Sequence, residues 1–405
     1  MRPLAWGGWT SAVGSGLWFT IWALFLTRRV ALTGPQAGIA LSVAGIVGFL
    51  SPTPLGRLAD RRGPREVYGV LLAAEGVFVV GFLFCHTFAE VVLVASATAA
   101  CDQGKTGVRA ALIAQLAPEE DRVAALACLR ACSHAGDALG AGLGALVIGL
   151  DSGTAYGAAI VFNAISYLAY AGGLLRVPHV PPCAIAPRRL GVTALCDLPF
   201  VTLAAICGFL TLCWGLMSAG LPLWIAGHTH APHALAGVIV LISSVAIAGL
   251  QVRFSRGVDT PSTAATSARR SGASLCACCG LVALAAGPDG LGAIALLLAA
   301  AVLHVLGELW FVAASWGLSV PFMPPDRPAE YQGVFATGEA LAIMLAPALM
   351  TAVIVPGGTA GWLALGAAFA LIGAMAQPAA RWTVRTRGAG QLGTQSRDQP
   401  EGAPG

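Results

Sequence analysis

PLGRLADRRGPREVYG, residues 54–69, lies between two long apolar runs. It gathers Arg57, Asp60, Arg61, Arg62 and Arg65 in a chain of which only 10% is charged. Crowded charge between segments made for oil is what a tight turn at a membrane surface needs. The flanking runs therefore decide the fold.

The whole chain has the same character. It has 405 residues, 57% of them hydrophobic, and a mean hydropathy of +0.78. A run of about 20 apolar residues crosses a hydrocarbon core of roughly 30 Å. Lipid offers the backbone no water, so each run must be a helix. Twelve spans are expected, near residues 9–28, 36–55, 67–86, 90–112, 123–149, 153–175, 199–226, 234–253, 270–286, 291–317, 331–354 and 359–380. The turn signals TGPQ, AGPDG and VPGGT separate some of them. The first run is too long for a cleavable signal, and no small-residue cleavage site follows it. The reading is one all-α polytopic membrane protein with no separate soluble domain.

Basic residues orient it. With the N-terminus in the cytoplasm, 18 of the 23 Lys and Arg fall inside, and only Arg28 and Arg29 fall outside. Lys105, Arg109 and Arg130 lie within spans. Both termini are therefore expected in the cytoplasm of a multi-pass cell-membrane protein. The net charge of +4 needs no nucleic-acid partner.

Topology alone does not account for the spacing in residues 54–69. Gly56, Asp60, Gly63 and Arg65 form G-x-x-x-D-x-x-G-x-R. Glycine allows a tight turn and close backbone approach. An acid there can meet the positive end of a neighbouring helix, and arginines can take carboxylates or helix-end carbonyls. This resembles the signature loop between helices two and three of the major facilitator superfamily. Pro64 stands where a second basic residue is common. The resemblance implies two six-helix halves, pseudo-symmetric around a central cavity and working by alternating access. The boundaries expected are 1–175 for the N-terminal bundle, 176–198 for a Pro-rich cytoplasmic linker, 199–387 for the C-terminal bundle and 388–405 for a disordered cytoplasmic tail. GLQVRFSRG, with Arg253 and Arg256, reads as a degraded second copy of the signature. The loop residues Gly56, Asp60, Arg61, Arg62, Gly63 and Arg65 are expected to latch the halves, with Asp60 meeting the start of helix eleven near Pro328 to Tyr331.

Two further stretches resemble the exporter branch of that superfamily. RACSHAGDALGAGLGAL places Gly136, Gly140, Gly142 and Gly144 at helical spacing, similar to the fifth-helix motif of its antiporters, though Ala141 replaces the usual proline. The stretch from Gly307 to Leu349 has a Glu in helix ten, a D-R-x-x-x-Y-Q-G loop and an A-P near the end of helix eleven. Plain helix packing also accounts for the glycines.

Charged groups within spans are costly unless paired or useful. Candidates for proton coupling are Asp102, Arg130, His134, Asp137, His304, Glu308 and Glu339. Asp102 and Lys105 are three apart on one helix face and can neutralise each other. Arg130, His134 and Asp137 share a face, and a His–Asp pair can titrate near physiological pH. His304 and Glu308 are one turn apart, and Glu308 and Glu339 are expected at similar depth, where two carboxyls could share one proton. Glu75 reads as a packing contact or a protonated carboxyl, and Arg109 as a headgroup anchor. Substrate-cavity candidates are Trp18, Trp22, Lys105 and Trp214, with Phe19 and Trp224 nearby and a membrane-interface belt as the competing role for Trp22 and Trp224.

HTHAPH, with His228, His230 and His233, lacks a nearby carboxylate and reads as an outer loop. CACC, with Cys276, Cys278 and Cys279, lies in a span and reads as small buried apolar residues. No nucleotide-binding loop, catalytic triad or zinc motif occurs. Neither enzymatic activity nor a metal or other cofactor is expected. The partners expected are a small-molecule substrate, protons and membrane lipid, with the chain working as a monomer. Three functions stay open: proton-coupled efflux of a drug or natural product, as in multidrug resistance; import of a small solute; and a transport-inactive sensor or partner-binding membrane protein.

Overall fold

The computed structural model describes residues 2–118, 121–182, 193–232, 234–287 and 290–395. These form twelve helical rods. They are α1 (Arg2–Arg28), α2 (Gly34–Leu50 bending into Pro52–Arg62), α3 (Pro64–Phe84), α4 (Phe88–Leu116), α5 (Arg122–Leu150) and α6 (Gly153–Arg176), then α7 (Leu198–His228), α8 (Ala234–Ser255), α9 (Pro261–Leu284), α10 (Gly290–Phe322), α11 (Pro328–Ile354) and α12 (Gly358–Gln395). No strand occurs among the described residues.

Among the described residues, eight rods are long and apolar enough to cross a membrane unaided, and the bent α2 makes up to nine. The others, α1, α4 and α9, are less apolar. α4 carries Asp102, Lys105 and Arg109, and the first turns of α9 are rich in Ser, Thr and Arg. α9 begins at Pro261, well before the expected 270, because hydropathy reads the hydrocarbon thickness and not the helix length. α12 runs to Gln395, so the tail expected to be disordered from Gly388 is helical that far; the residues beyond lie outside those described. Arg387 helps extend it, donating to Asp197 at 2.9 Å and to the carbonyl of Phe322.

Local chemistry sets the ends. Thr33 with Gln36, Thr87 with Glu90 and Thr260 with Thr263 form capping boxes at the starts of α2, α4 and α9. Pro52 follows Ser51, where α2 bends by 41°. Gly63 has φ +97°, a conformation that side chains resist, and Pro64 then opens α3.

Two cores result. One gathers buried residues of α1–α6, including Ile21, Tyr68, Leu112 and Tyr156. The other gathers α7–α12 around Phe200, Trp224, Phe311, Trp362 and Phe369. α1 packs on α5 and α6 in the first half, and α9 on α10 and α12 in the second. The halves meet along α2–α11, α4–α11 and α5–α8. The start of α1 and the Arg387 region of α12 lie on one face, the termini face, with the α2–α3 turn: α1 reaches the end of α6, to which Arg65 bonds, and Arg387 bonds Asp197 and Phe322.

Candidate functional site

A cavity of about 200 Å³ lies between the halves. Its wall comes from α4, α5, α7, α10 and α11, and includes Arg109, Arg130, Trp214, Trp316, Gln332 and Glu339. The three α4 and α5 residues that bear charge or amide there, Gln103, Arg109 and Arg130, lie in the halves of those helices nearer the termini face, so the cavity sits on that side of the molecule.

Its strongest polar bond crosses the halves. Arg130 Nη2 on α5 donates to Glu308 Oε1 on α10 at 2.9 Å. Trp214 Nε1 on α7 donates to the same oxygen at 2.9 Å. The Arg130 guanidinium lies 5.0 Å from the Trp214 ring centroid, a cation–π contact. Phe311 meets Trp214 edge-on at 5.8 Å. Glu308 and His304 are buried, as sequence spacing would place them. His304, however, turns its Nε2 to the carbonyl of Cys213 at 2.8 Å, and its Nδ1 is 4.0 Å from Glu308. Burying two charges is costly and becomes tolerable with good geometry and extra hydrogen bonds, which Trp214 supplies here.

Several expectations change. Glu308 and Glu339 do not pair with each other: Glu308 is taken by Arg130 and Trp214, while Glu339 accepts from Ser315 Oγ at 3.2 Å. A cation one helix away offers Glu308 more than a second anion does. Lys105 is not left to Asp102 alone or to a cavity wall. It contacts Glu75 Oε2 on α3 at 2.5 Å and Asp102 Oδ1 at 3.0 Å, and lies 4.6 Å from the Tyr167 ring centroid. Glu75 is thus one arm of a buried triad. Arg109 is not a headgroup anchor: it lines the cavity beside Tyr68 and Tyr170. Trp18 packs on Phe82 at 4.8 Å and on Phe25 at 5.8 Å, and Trp22 packs on the same half-core, so neither faces the cavity. Phe19 is exposed. Trp224 is buried in the second core, donating to the Val282 carbonyl at 2.8 Å and stacking on His228 at 4.3 Å. His134 and Asp137 follow Arg130 along α5 and lie in its field, as well as that of Arg109 for Asp137. No hydrogen bond joins the two among the described residues. His233 lies outside the described residues, and no His/Cys/Asp/Glu group able to hold a metal occurs among those described.

The signature loop makes the contact expected of it. Buried Asp60 accepts from the N–H of Ala329 at 2.8 Å and of Glu330 at 2.7 Å, at the first turn of α11. Gly56 lies against the Ala329 carbonyl so closely that no side chain would fit. Arg65 donates to the carbonyls of Leu174 and Leu175 at the end of α6, at 3.1 and 3.2 Å. Arg61 and Arg62 are exposed and take no part. Arg57 does, 3.7 Å from Glu330, whose Oε1 also accepts from the N–H of Ala194 at 3.0 Å. Sequence reasoning counted Arg57 toward topology only, although it follows the first signature glycine directly. Thr53 bonds Thr337 across the same seam at 2.9 Å. The bonds of Asp60, Arg57 and Thr53 join the halves at the termini face, while those of Arg65 stay within the first half.

On α5, Gly136, Gly140 and Gly144 face α1, and Gly142 faces open space. The stripe is a packing seam, the plainer of its two readings.

A family model described as Major Facilitator Superfamily matches residues 4–347. Solved structures share the fold at low identity. A bacterial homologue of the iron transporter ferroportin in an outward-facing state has TM-score 0.71 at 15% identity, covering 95% of this chain and 99% of its own. The transporter FucP in the outward conformation has 0.69 at 15%, covering 94% and 98%. The human organic anion transporter MFSD10 (TETRAN) has 0.64 at 14%, covering 94% and 98%. No curated protein matches the chain.

Proposed function

The chain belongs to the Major Facilitator Superfamily, and on that premise we propose that it is a proton-coupled secondary transporter that exports a small molecule, a drug or natural product, by alternating access. The observation that carries the coupling is the Arg130–Glu308 bond, at 2.9 Å, between a helix of each half. A proton on Glu308 cancels the charge that Arg130 holds, and the halves lose an attraction that favours the present arrangement. Deprotonation restores it. Proton occupancy and conformation thereby become linked. The latch at Asp60 governs the termini face, which the excess of arginine places in the cytoplasm of the cell membrane. One chain supplies both halves, so the working unit is the monomer.

Export is supported by the resemblance of α5, α10 and α11 to exporter motifs. Uptake of a small solute is the second reading, favoured by the cavity's size: about 200 Å³ is below the roughly 300–1,000 Å³ of drug-sized sites. Proteoliposomes with a trapped pH dye test the reading. Addition of a transported compound should move protons in the opposite direction, and an imposed gradient should drive accumulation that a protonophore abolishes. Accumulation that ignores the gradient refutes proton coupling, and co-directional movement of proton and solute refutes export.

A further inference from the structure

The charges lining the cavity are not all satisfied by one another. Glu308 is compensated by Arg130 and by the indole N–H of Trp214. Two charges of opposite sign remain. Arg109 on α4 has the phenols of Tyr68 and Tyr170 beside it and makes no ion pair among the described residues; Asp137 and Asp102 reach it only through the longer-range field, and Asp102 is held by Lys105 at 3.0 Å. Glu339 on α11 accepts one bond, from the neutral Ser315, at 3.2 Å, and lies in the longer-range field of Arg130 and Arg109 without an ion pair to either. Both face the cavity, one from each half of the molecule. Trp214, Phe311 and Trp316 line the same cavity, with the amides of Gln103 and Gln332. A buried charge without a counter-charge in contact is costly. A ligand that brings both counter-charges relieves two such costs at once, and a ligand that brings one leaves the other charge more deeply buried than before.

We propose that the cavity takes a small aromatic zwitterion, its carboxylate on Arg109, its protonated amine on Glu339 and its ring against Trp214 and Trp316. The planar fork of Arg109 suits a carboxylate. The aromatic wall suits a ring, and adds attraction for the amine. Glu339 and not Asp137 receives the amine, because Asp137 does not line the enclosed space. Since the two anchors stand on opposite halves, a bound zwitterion would tie α4 to α11, and a singly charged analogue would touch only one half.

The inference rests on the transporter reading of this cavity and not on its direction or on proton coupling. The test is equilibrium binding to the purified full-length protein, by calorimetry, with no gradient. The zwitterionic probes are L-phenylalanine, with its charges adjacent, and 4-(2-aminoethyl)benzoate, with its charges at opposite ends of the ring. The singly charged probes are 3-phenylpropionate and 2-phenylethylamine. The better zwitterion should bind at least tenfold more tightly than either singly charged compound. Arg109→Gln should remove its advantage over the amine, and Glu339→Gln its advantage over the carboxylate. If 3-phenylpropionate or 2-phenylethylamine matches both zwitterions, or if none of the four binds, the zwitterion assignment is overturned. The comparison among ligands is made on the unaltered protein, so a variant that fails to fold does not blunt it. Loss of the zwitterion preference leaves proton-coupled transport standing, and a coupling defect leaves the preference intact.

Discussion

Asp60→Asn should unlatch the termini face without unfolding the protein. The carboxylate is 2% exposed and accepts two backbone N–H groups, at 2.8 and 2.7 Å. Both donors sit in the first turn of α11, where the helix dipole favours an anion. Asparagine keeps one acceptor oxygen, and its NH₂ turns a donor toward the other N–H. One charge-assisted bond becomes neutral and the second is lost, with a buried donor left unmade. Charge-assisted bonds contribute about 1.5–3 kcal/mol and neutral ones about 0.5–1.5. The net loss is about 2–3 kcal/mol, or roughly 30- to 150-fold in the equilibrium between the latched and unlatched states. Asparagine matches aspartate in size and leaves the apolar packing of both half-cores in place, so expression and orientation should hold. The assay uses a cysteine at Ser319, which lines the cavity, in a background with the eleven native cysteines replaced. Its labelling from the termini face should rise in Asp60→Asn, while transport falls. Arg57→Gln removes a partly exposed pair at 3.7 Å and should change labelling by less than about 1 kcal/mol would allow. Unchanged labelling and normal transport in Asp60→Asn would leave the loop a topology signal only.

Three further outcomes follow from the same geometry. Glu308→Gln should abolish gradient-driven transport while solute exchange without a gradient continues; normal gradient-driven accumulation would remove Glu308 from the coupling. Lys105→Met leaves Glu75, 1% exposed, as a buried uncompensated acid, and should cost about 3–5 kcal/mol; melting in detergent should show the loss, and Lys105→Met with Glu75→Gln should recover most of it. Gly140→Ala places a methyl 2.8 Å from the Leu17 amide nitrogen and closer still to the Val13 carbonyl, so α1 and α5 must part at a cost of about 1–3 kcal/mol; an unchanged melting temperature would refute the tight seam.

Much of this architecture was legible in the order of residues. Apolar runs of membrane length report one-dimensional burial in lipid, and they located the twelve rods. The resemblance of G-x-x-x-D-x-x-G-x-R to the superfamily's signature loop pointed Asp60 to the start of α11; the spacing by itself names no partner 269 residues away. His304 and Glu308 could be put in the interior because isolated polar residues in a span have nowhere else to go.

What the chain order could not decide is which charges meet. Glu308 is 178 residues from Arg130, and Lys105 is 30 from Glu75. Helical spacing relates positions within one turn or two, so it paired Asp102 with Lys105 and His304 with Glu308. Pairing between helices depends on how each rod is rotated about its axis, and that rotation is set by packing. The glycines of α5 seat it against α1 and turn Arg130 toward α10. The rotations of α1 and α7 likewise send Trp18 into the first half-core and Trp214 to the cavity. Hydropathy and spacing determined which helices exist and where they cross; only the tertiary contact of their faces decided which acids keep a partner and which remain for a ligand.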